Sequence, residues 1–491
     1  MTDMYSKNHK TVYERQGVVT NIASVPPESP GRQSVACKII KTAVAFAIAV
    51  LAATPASGQQ TYGLRECVEM GLRQNYSIRI VRGEEQITKN NAIPGNAGYL
   101  PSADLSGGYN GTLNDVRTRS AADGIVEKTG GVDNQTANAG LNINWTLFDG
   151  LGIQAEYARL KELRLMGELN TRLAVENLAA DISAEYYNLI RQKTRLRNLR
   201  STLGLSRERL RIVEERYSIG SMSRLDLQQA QVDFNADSSK VLNQLEMVHT
   251  SRTRLNELMA LENVEAPIAI KDSLIYPDSL LSRNLLWEST ERNNVSLLMS
   301  RKNYDISSLD LKKARSRNYP YLKLNGGYGY TGNWYGSGNT EYQQRLGFNY
   351  GLTLGINVFD GMNRRREQRN ARIQMDNRSL AVQETELALR ADMSNLWMAY
   401  RNNLNLWSLE KENLVAAREN YDIALERYKL GDLAGIELRE AQNSLLEAEE
   451  RLSIAEYSVK ICEISLLQLS GGILSYVFPD NRTAEGIPKE R

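Results

Sequence analysis

Side chains that carry covalent or metal chemistry are scarce in this 491-residue chain. It holds two histidines, His9 and His249, and three cysteines, Cys37, Cys67 and Cys462. A His- or Cys-based metal centre is thereby nearly excluded, as is a nucleophilic triad built on anything but His249. His249 stands among Met247, Val248 and Thr250 in a helical stretch, where a surface position is expected. Gly326-Gly327-Tyr328-Gly329 opens a pair of strands rather than a helix, so it lacks the setting of a phosphate-binding loop. With 60 Lys+Arg against 58 Asp+Glu, there is no electrostatic footprint for nucleic acid. The 24 tyrosines against 6 phenylalanines point to aromatics at a wet boundary, since a buried tyrosine must find a partner for its hydroxyl. No enzyme and no cofactor is expected.

The elements that position everything else come from an internal repeat. Leu147-Phe148-Asp149-Gly150 recurs as Val358-Phe359-Asp360-Gly361, and Glu215-Arg216-Tyr217-Ser218-Ile219-Gly220 as Glu426-Arg427-Tyr428-Lys429-Leu430-Gly431. The stretch between the two motifs is free of proline and rich in Leu, Glu, Arg and Ala, which predicts a helix about 100 Å long. Leu196, Leu199, Leu203, Ser206, Leu210, Val213 and Tyr217 recur at 3-4 spacing, as do Leu438, Ala441, Leu445, Ala448, Leu452, Ala455 and Val459. That is a coiled-coil seam. Each helix is expected to turn at its glycine, Gly220 or Gly431, and return over about 40 residues.

Ahead of each Phe-Asp-Gly the period switches to two. Ala137, Ala139, Leu141, Ile143, Trp145 and Leu147 alternate with Asn138, Gly140, Asn142, Asn144 and Thr146. Leu346, Phe348, Tyr350, Leu352, Leu354, Ile356 and Val358 alternate with small polar residues likewise. Alternation over about 11–13 residues suits a strand crossing an outer membrane. Each has a weaker partner strand upstream, so the chain supplies four membrane strands. An open four-stranded sheet cannot exist in lipid, and the barrel must therefore close with copies of the same chain. Leu141, Ile143, Trp145, Leu346, Phe348, Leu352, Leu354 and Ile356 are expected to face lipid.

Residues 1–58 read as a leader: two lysines, an apolar run from Thr42 to Ala53, then a small-residue exit with cleavage near 58/59. The polar preface before Lys38 is unusual, and translation starting near Val35 would account for it. The expected organisation is then repeat one over 59–275, with a β-hairpin about 102–148 and a helical hairpin about 150–263. Repeat two covers 276–474, with hairpins about 320–359 and 361–470, and a polar tail runs over 475–491. Cys67 and Cys462 are read as two buried apolar residues rather than a disulfide.

These residues resemble the TolC-like family of outer-membrane efflux factors. The resemblance runs from Leu64-Arg65-Glu66-Cys67 to about Leu469 and rests on the Phe-Asp-Gly after each β-hairpin and the Arg-Tyr-x-x-Gly turn of each helical hairpin. It implies a mixed α and membrane-β fold: a homotrimer whose 12-stranded barrel continues into a periplasmic tunnel of long coiled-coil helices. It also implies an adaptor-docking tip at Tyr217, Gly220, Leu225, Tyr428, Gly431 and Ile436. The barrel-to-helix junctions would be Phe148, Asp149, Gly150 and Phe359, Asp360, Gly361. The tunnel constriction would carry Glu437 and Glu440, with Asp226 at the matching place in repeat one. Arg224 and Arg439 could tether neighbouring hairpins there, while Leu433 stands where relatives carry a polar tether. The implied function is a passive outer-membrane duct for small molecules, working with a periplasmic adaptor and an inner-membrane transporter. A duct for secreted polypeptides is the same-fold alternative; a periplasmic coiled-coil adaptor or structural protein is the alternative of another class.

Overall fold

In the computed structural model, residues 61–278 and 280–479 are described. The expected leader and residues 480–491 of the expected tail lie outside them. Repeat one runs β1 (Thr61–Tyr62), α1 (Leu64–Gln74), α2 (Tyr76–Asn91), α3 (Pro94–Ala97), β2 (Ser102–Arg119), β3 (Val126–Phe148), α4 (Gly152–Ser218) and α5 (Arg224–Leu258). Next comes β4 (Ala269–Ile270), inside the span expected for repeat one, and repeat two then runs α6 (Arg283–Asn293), α7 (Val295–Ser316), β5 (Tyr321–Trp334), β6 (Tyr342–Gly355), α8 (Asn363–Leu430) and α9 (Gly435–Leu469), followed by the short α10 (Ile473–Val477).

The repeat extends to single hydrogen bonds. Asn75 and Asn294 each break a helix in two, cap the second half through the side-chain oxygen, and donate through Nδ2 to the last carbonyl of the return helix. Those bonds are 3.0 Å to Leu258 O and 2.9 Å to Leu469 O. The coiled-coil seams hold as read: Leu196, Leu199, Ser206, Leu210 and Val213 are buried, as are Leu438, Ala441, Ala448, Ala455 and Val459. Tyr217, the last residue of the first seam, is exposed instead.

The largest core gathers α1, α4, α9, α10 and the strap from Ile268 to Ile275 around Cys67, Ile182, Leu189 and Leu255. It is threaded by polar groups that are paired. Tyr186 Oη donates to Asp272 Oδ2 at 2.7 Å, the Tyr187 and Tyr476 hydroxyls meet at 2.9 Å, and buried Lys460 bridges buried Glu463 at 2.8 Å. Both Cys67 and Cys462 are free thiols, and burial pushes the Cys67 thiol up to about 12.

The membrane-type sheet has the order β2-β3-β5-β6, all antiparallel. Register puts whole rows of one character on one face. Leu105, Leu141, Tyr328 and Phe348 stand opposite one another across the four strands, as do Ser106, Gly140, Gly329 and Gly347 on the other face. Two expectations need correction. The first hairpin spans Ser102 to Phe148 as expected, but its strands are longer than the alternating pattern, since β2 and β3 continue past the sheet as a two-stranded ribbon whose far end pairs Arg119 with Val126. β6 is shorter: it stops at Gly355, opposite Tyr321, so Ile356 and Val358 lie beyond the strand. Its partner β5 cannot begin earlier, because Pro320 has no N–H to donate to the ladder.

Candidate functional site

Three places concentrate the expected functional residues: the two helix tips, the contact between the hairpins above them, and the two junctions from strand to long helix.

Both tips close by one geometry. Gly220 and Gly431 take φ of 80° and 85°, a region open to glycine at no steric cost. In each, the glycine N–H bonds the carbonyl three back and the next N–H the carbonyl five back: Gly220 to Tyr217 and Ser221 to Arg216, Gly431 to Tyr428 and Asp432 to Arg427. This double bond satisfies carbonyls that a helix end otherwise leaves free. The surroundings differ. Tyr428 is 3% exposed, packed with Tyr421, Leu438 and Ala441 and covered by the Arg216 guanidinium 5.8 Å from its ring centre, whereas Tyr217 is 41% exposed. The Tyr428 hydroxyl is buried and has no hydrogen-bond partner among the described residues.

Glu437 and Glu440 lie one helical turn apart at the start of α9, both exposed, with Ile436 exposed beside them. Asp226 is otherwise engaged. Its Oδ2 accepts from Ser223 N at 3.1 Å and Ser223 Oγ at 2.6 Å while its own N–H donates to Ser223 Oγ, a capping box that starts α5. Those bonds hold its carboxyl below the usual range. Leu225 is exposed at the same turn.

Above the tips a buried charge pair joins the two hairpins. Arg439 on α9 donates to both carboxylate oxygens of Asp237 on α5, at 2.5 and 2.8 Å, and Ser206 Oγ donates to the same carboxylate at 2.5 Å. Asp237 is 1% exposed. Burial alone would raise its carboxyl, but the bonds from Arg439 and Ser206 outweigh that and hold it below its ordinary value. Next to it, buried Arg209 on α4 pairs with Asp233. Arg439 thus does tether the two hairpins, reaching from about one turn inside α9 to a carboxylate about three and a half turns inside α5. Arg224 is exposed and has no ion pair among the described residues. Nothing in the sequence pattern marked Asp237 as its partner, since the two lie 202 positions apart.

At the junctions, Asp149 Oδ1 accepts from Ile153 N at 3.0 Å and Asp360 Oδ2 from Arg364 N at 3.0 Å, so each aspartate caps the helix that follows. Gly150 and Gly361 take φ of 74° and 68°, and the next residues, Leu151 and Met362, also take positive φ. Two consecutive left-handed residues turn the chain from strand to helix. Phe148 ends β3 in the ladder opposite Leu322, while Phe359, four residues past β6, is exposed.

Leu141, Ile143, Trp145, Leu346, Phe348, Leu352 and Leu354 share one sheet face and are all exposed in the single chain. Among the described residues there is no group of His, Cys, Asp or Glu able to hold a metal ion.

Comparison with known proteins agrees with this architecture. The chain is 22% identical to outer membrane protein TolC of Vibrio cholerae over 379 residues, covering 76% of this chain and 82% of that one. It is also 22% identical to the proteases secretion protein PrtF of Dickeya chrysanthemi, covering 57% of this chain and 60% of that one. Its fold matches the crystal structure of the outer membrane protein VceC from Vibrio cholerae with a TM-score of 0.68 at 16% identity, covering 83% of this chain and 96% of that one. A model of the outer membrane efflux protein family matches residues 72–261 and 286–472, one span per repeat. The chain therefore belongs to the outer membrane efflux protein family.

Proposed function

We propose that this chain is one third of a homotrimeric outer-membrane channel, a passive duct through which small toxic molecules leave the periplasm. The observation that carries this reading is the open sheet. β2 and β6 are its edges, one face is a continuous exposed apolar surface, and the other is lined by Gly, Asn and Ser. In lipid the edge N–H and C=O groups need partners, so β6 of one copy would pair with β2 of the next. Three copies would close a barrel of 12 strands, apolar outside and polar within.

The helices support the same arrangement. Helix contacts run in the order α2, α4, α7, α8, which leaves α2 and α8 at the two ends. α8 exposes Ile373, Leu380 and Leu387 at heptad spacing, and α2 exposes Ile80 and Ile87 seven apart. Two such stripes are complementary coiled-coil seams without partners in one chain. In the trimer the exposed tip around Tyr217, Gly220, Leu225, Tyr428, Gly431 and Ile436 would receive a periplasmic adaptor linked to an inner-membrane transporter. Glu437 and Glu440 would form carboxylate rings where the tunnel narrows, a filter favouring cations.

Detergent-solubilised protein should scatter light with the mass of three chains and conduct in planar bilayers. A monomer, or a trimer without current, sinks the reading. The likeness to PrtF favours polypeptide secretion as the second reading. A deletion strain that accumulates ethidium supports efflux; one that only retains an exported protein supports secretion.

A further inference from the structure

The junction of repeat two carries charge that repeat one lacks. Residues 312–317 and 363–378, the end of α7 and the start of α8, hold ten basic and two acidic residues. The matching stretches of repeat one, 93–98 and 152–167, hold three and two. Both acids leave the excess standing: Glu367 is taken by Arg317, and Asp376 is a single exposed carboxylate. Arg364 is engaged by Asp360 and Lys313 by Glu156. Lys312, Arg315, Arg365, Arg366, Arg369 and Arg372 are exposed and have no acidic partner among the described residues.

Stability of α8 does not explain Arg365 and Arg366, because cations in a first helical turn oppose the helix dipole; Arg315, in the last turn of α7, is the one its own helix dipole favours. The neighbouring copy does not explain them either. The edge it would bring to α8 is its own α2–α3–β2 segment, and between Glu85 and Asp104 that segment contains no acidic residue. The arginines start nine residues past the end of β6, at Arg364, and Ile356, Val358, Phe359 and Met362, all exposed and apolar, lie between. An apolar segment followed by clustered arginines is the pattern of a chain leaving hydrocarbon through a headgroup layer.

We infer that Arg365, Arg366, Arg369 and Arg372, with Lys312 and Arg315, form a collar that binds the phosphates of anionic phospholipid in the periplasmic leaflet. The inference rests on the trimeric outer-membrane reading. It adds a lipid-class preference at one repeat only, so that anionic lipid would sit at three places around the channel.

The test places purified wild-type channel in nanodiscs of equimolar phosphatidylglycerol and phosphatidylcholine and measures the lipid retained after mild delipidation. Wild type should retain phosphatidylglycerol about tenfold over phosphatidylcholine. The quadruple variant R365Q/R366Q/R369Q/R372Q should lose that preference, while the quadruple Arg→Lys variant keeps most of it. Glutamine variants that keep the preference overturn the inference. So does a shifted reversal potential in those variants, which would put the arginines in the pore, or displacement of the lipid by inorganic phosphate at matched ionic strength, which would mean a free-anion site. Light scattering on the same samples separates the two readings. A trimeric wild type without lipid preference overturns only the collar, whereas a wild type that is not trimeric overturns the assembly and the collar with it.

Discussion

At the first junction, a Cβ added to Gly150 would collide with Ser316 O and come within 2.7 Å of Tyr319 Cβ. At the second, a Cβ on Gly361 would meet only the Asn363 amide, at 3.7 Å. The backbone is the same, with left-handed glycine, left-handed next residue and aspartate cap, but only the first copy is covered, by the entry to the second β-hairpin. The same contrast runs along the long helices. α4 buries 23 residues of its 67, whereas α8 buries six of 68. Within one chain the long helix of the first copy has neighbours on both sides, while that of the second leaves most of its surface open.

The contrast can be broken most strongly at the charge pair of Asp237 and Arg439, which ties the hairpins together. Asp237→Ala leaves the half-buried Arg439 guanidinium without its carboxylate, and should cost about 3 kcal/mol of stability, the low end for a buried pair, read from thermal unfolding of the helical signal. Replacing both, Asp237→Leu with Arg439→Met, should recover most of it. The same pair sets a pH dependence. Its carboxyl is depressed in the fold, so its contribution is present above the unfolded value of about 3.9 and disappears as pH falls through the lower folded value. Stability should therefore be flat in this term from neutrality to about pH 5 and fall below about pH 4 in wild type, with a shallower fall in the double variant. An equally steep fall in both would assign the acid sensitivity elsewhere.

The junction glycines give the next effect. Gly150→Ala combines left-handed strain of about 1–2 kcal/mol with overpacking of about 1–3. Gly361→Ala should carry the strain alone in a monomer. If a neighbouring copy covers the second junction as Ser316 and Tyr319 cover the first, the two variants should cost alike in assembled protein and differ only before assembly. Heat-dependent gel mobility of the oligomer reads this directly.

What was legible followed from periodicity. The 3-4 spacing from Leu196 to Val213 needs only local sequence, and burial bears it out. Alternation from Ala137 to Leu147 was visible because one face of the strand is apolar and the other carries Asn, Gly and Thr. The ribbon beyond Asn134 was invisible for the converse reason: residues such as Asp115, Arg117, Thr129 and Asp133 are polar on both faces, so a period of two leaves no trace. Arg439 was legible as a tether but not its partner, because pairing between distant helices has no spacing to read. Asp226 is harder still. Its sequence position matches Glu437 by repeat, and only the Ser223 hydroxyl, three residues upstream, hints that it caps a helix.

That cap separates the acidic residues of the two tips by a smaller, measurable effect. Asp226→Asn should cost about 0.5–1 kcal/mol through the capping box, while Glu437→Gln and Glu440→Gln, exposed and unengaged, should stay within about 0.5 kcal/mol of wild type. Function should rank them the other way. If three copies bring these free carboxylates together where the tunnel narrows, they would concentrate cations there, and neutralising Glu437 and Glu440 together should reduce the cation preference of the current measured as reversal potential under a salt gradient. The effect should shrink as ionic strength rises and the Debye length falls from about 10 Å at 0.1 M to about 3 Å at 1 M. Asp226→Asn should leave the reversal potential nearly unchanged, because its carboxylate is already held by Ser223. Should Asp226→Asn instead shift selectivity as much as the glutamate pair, the first tip would line the constriction as fully as the second. The contrast between the two halves would then stop short of the pore.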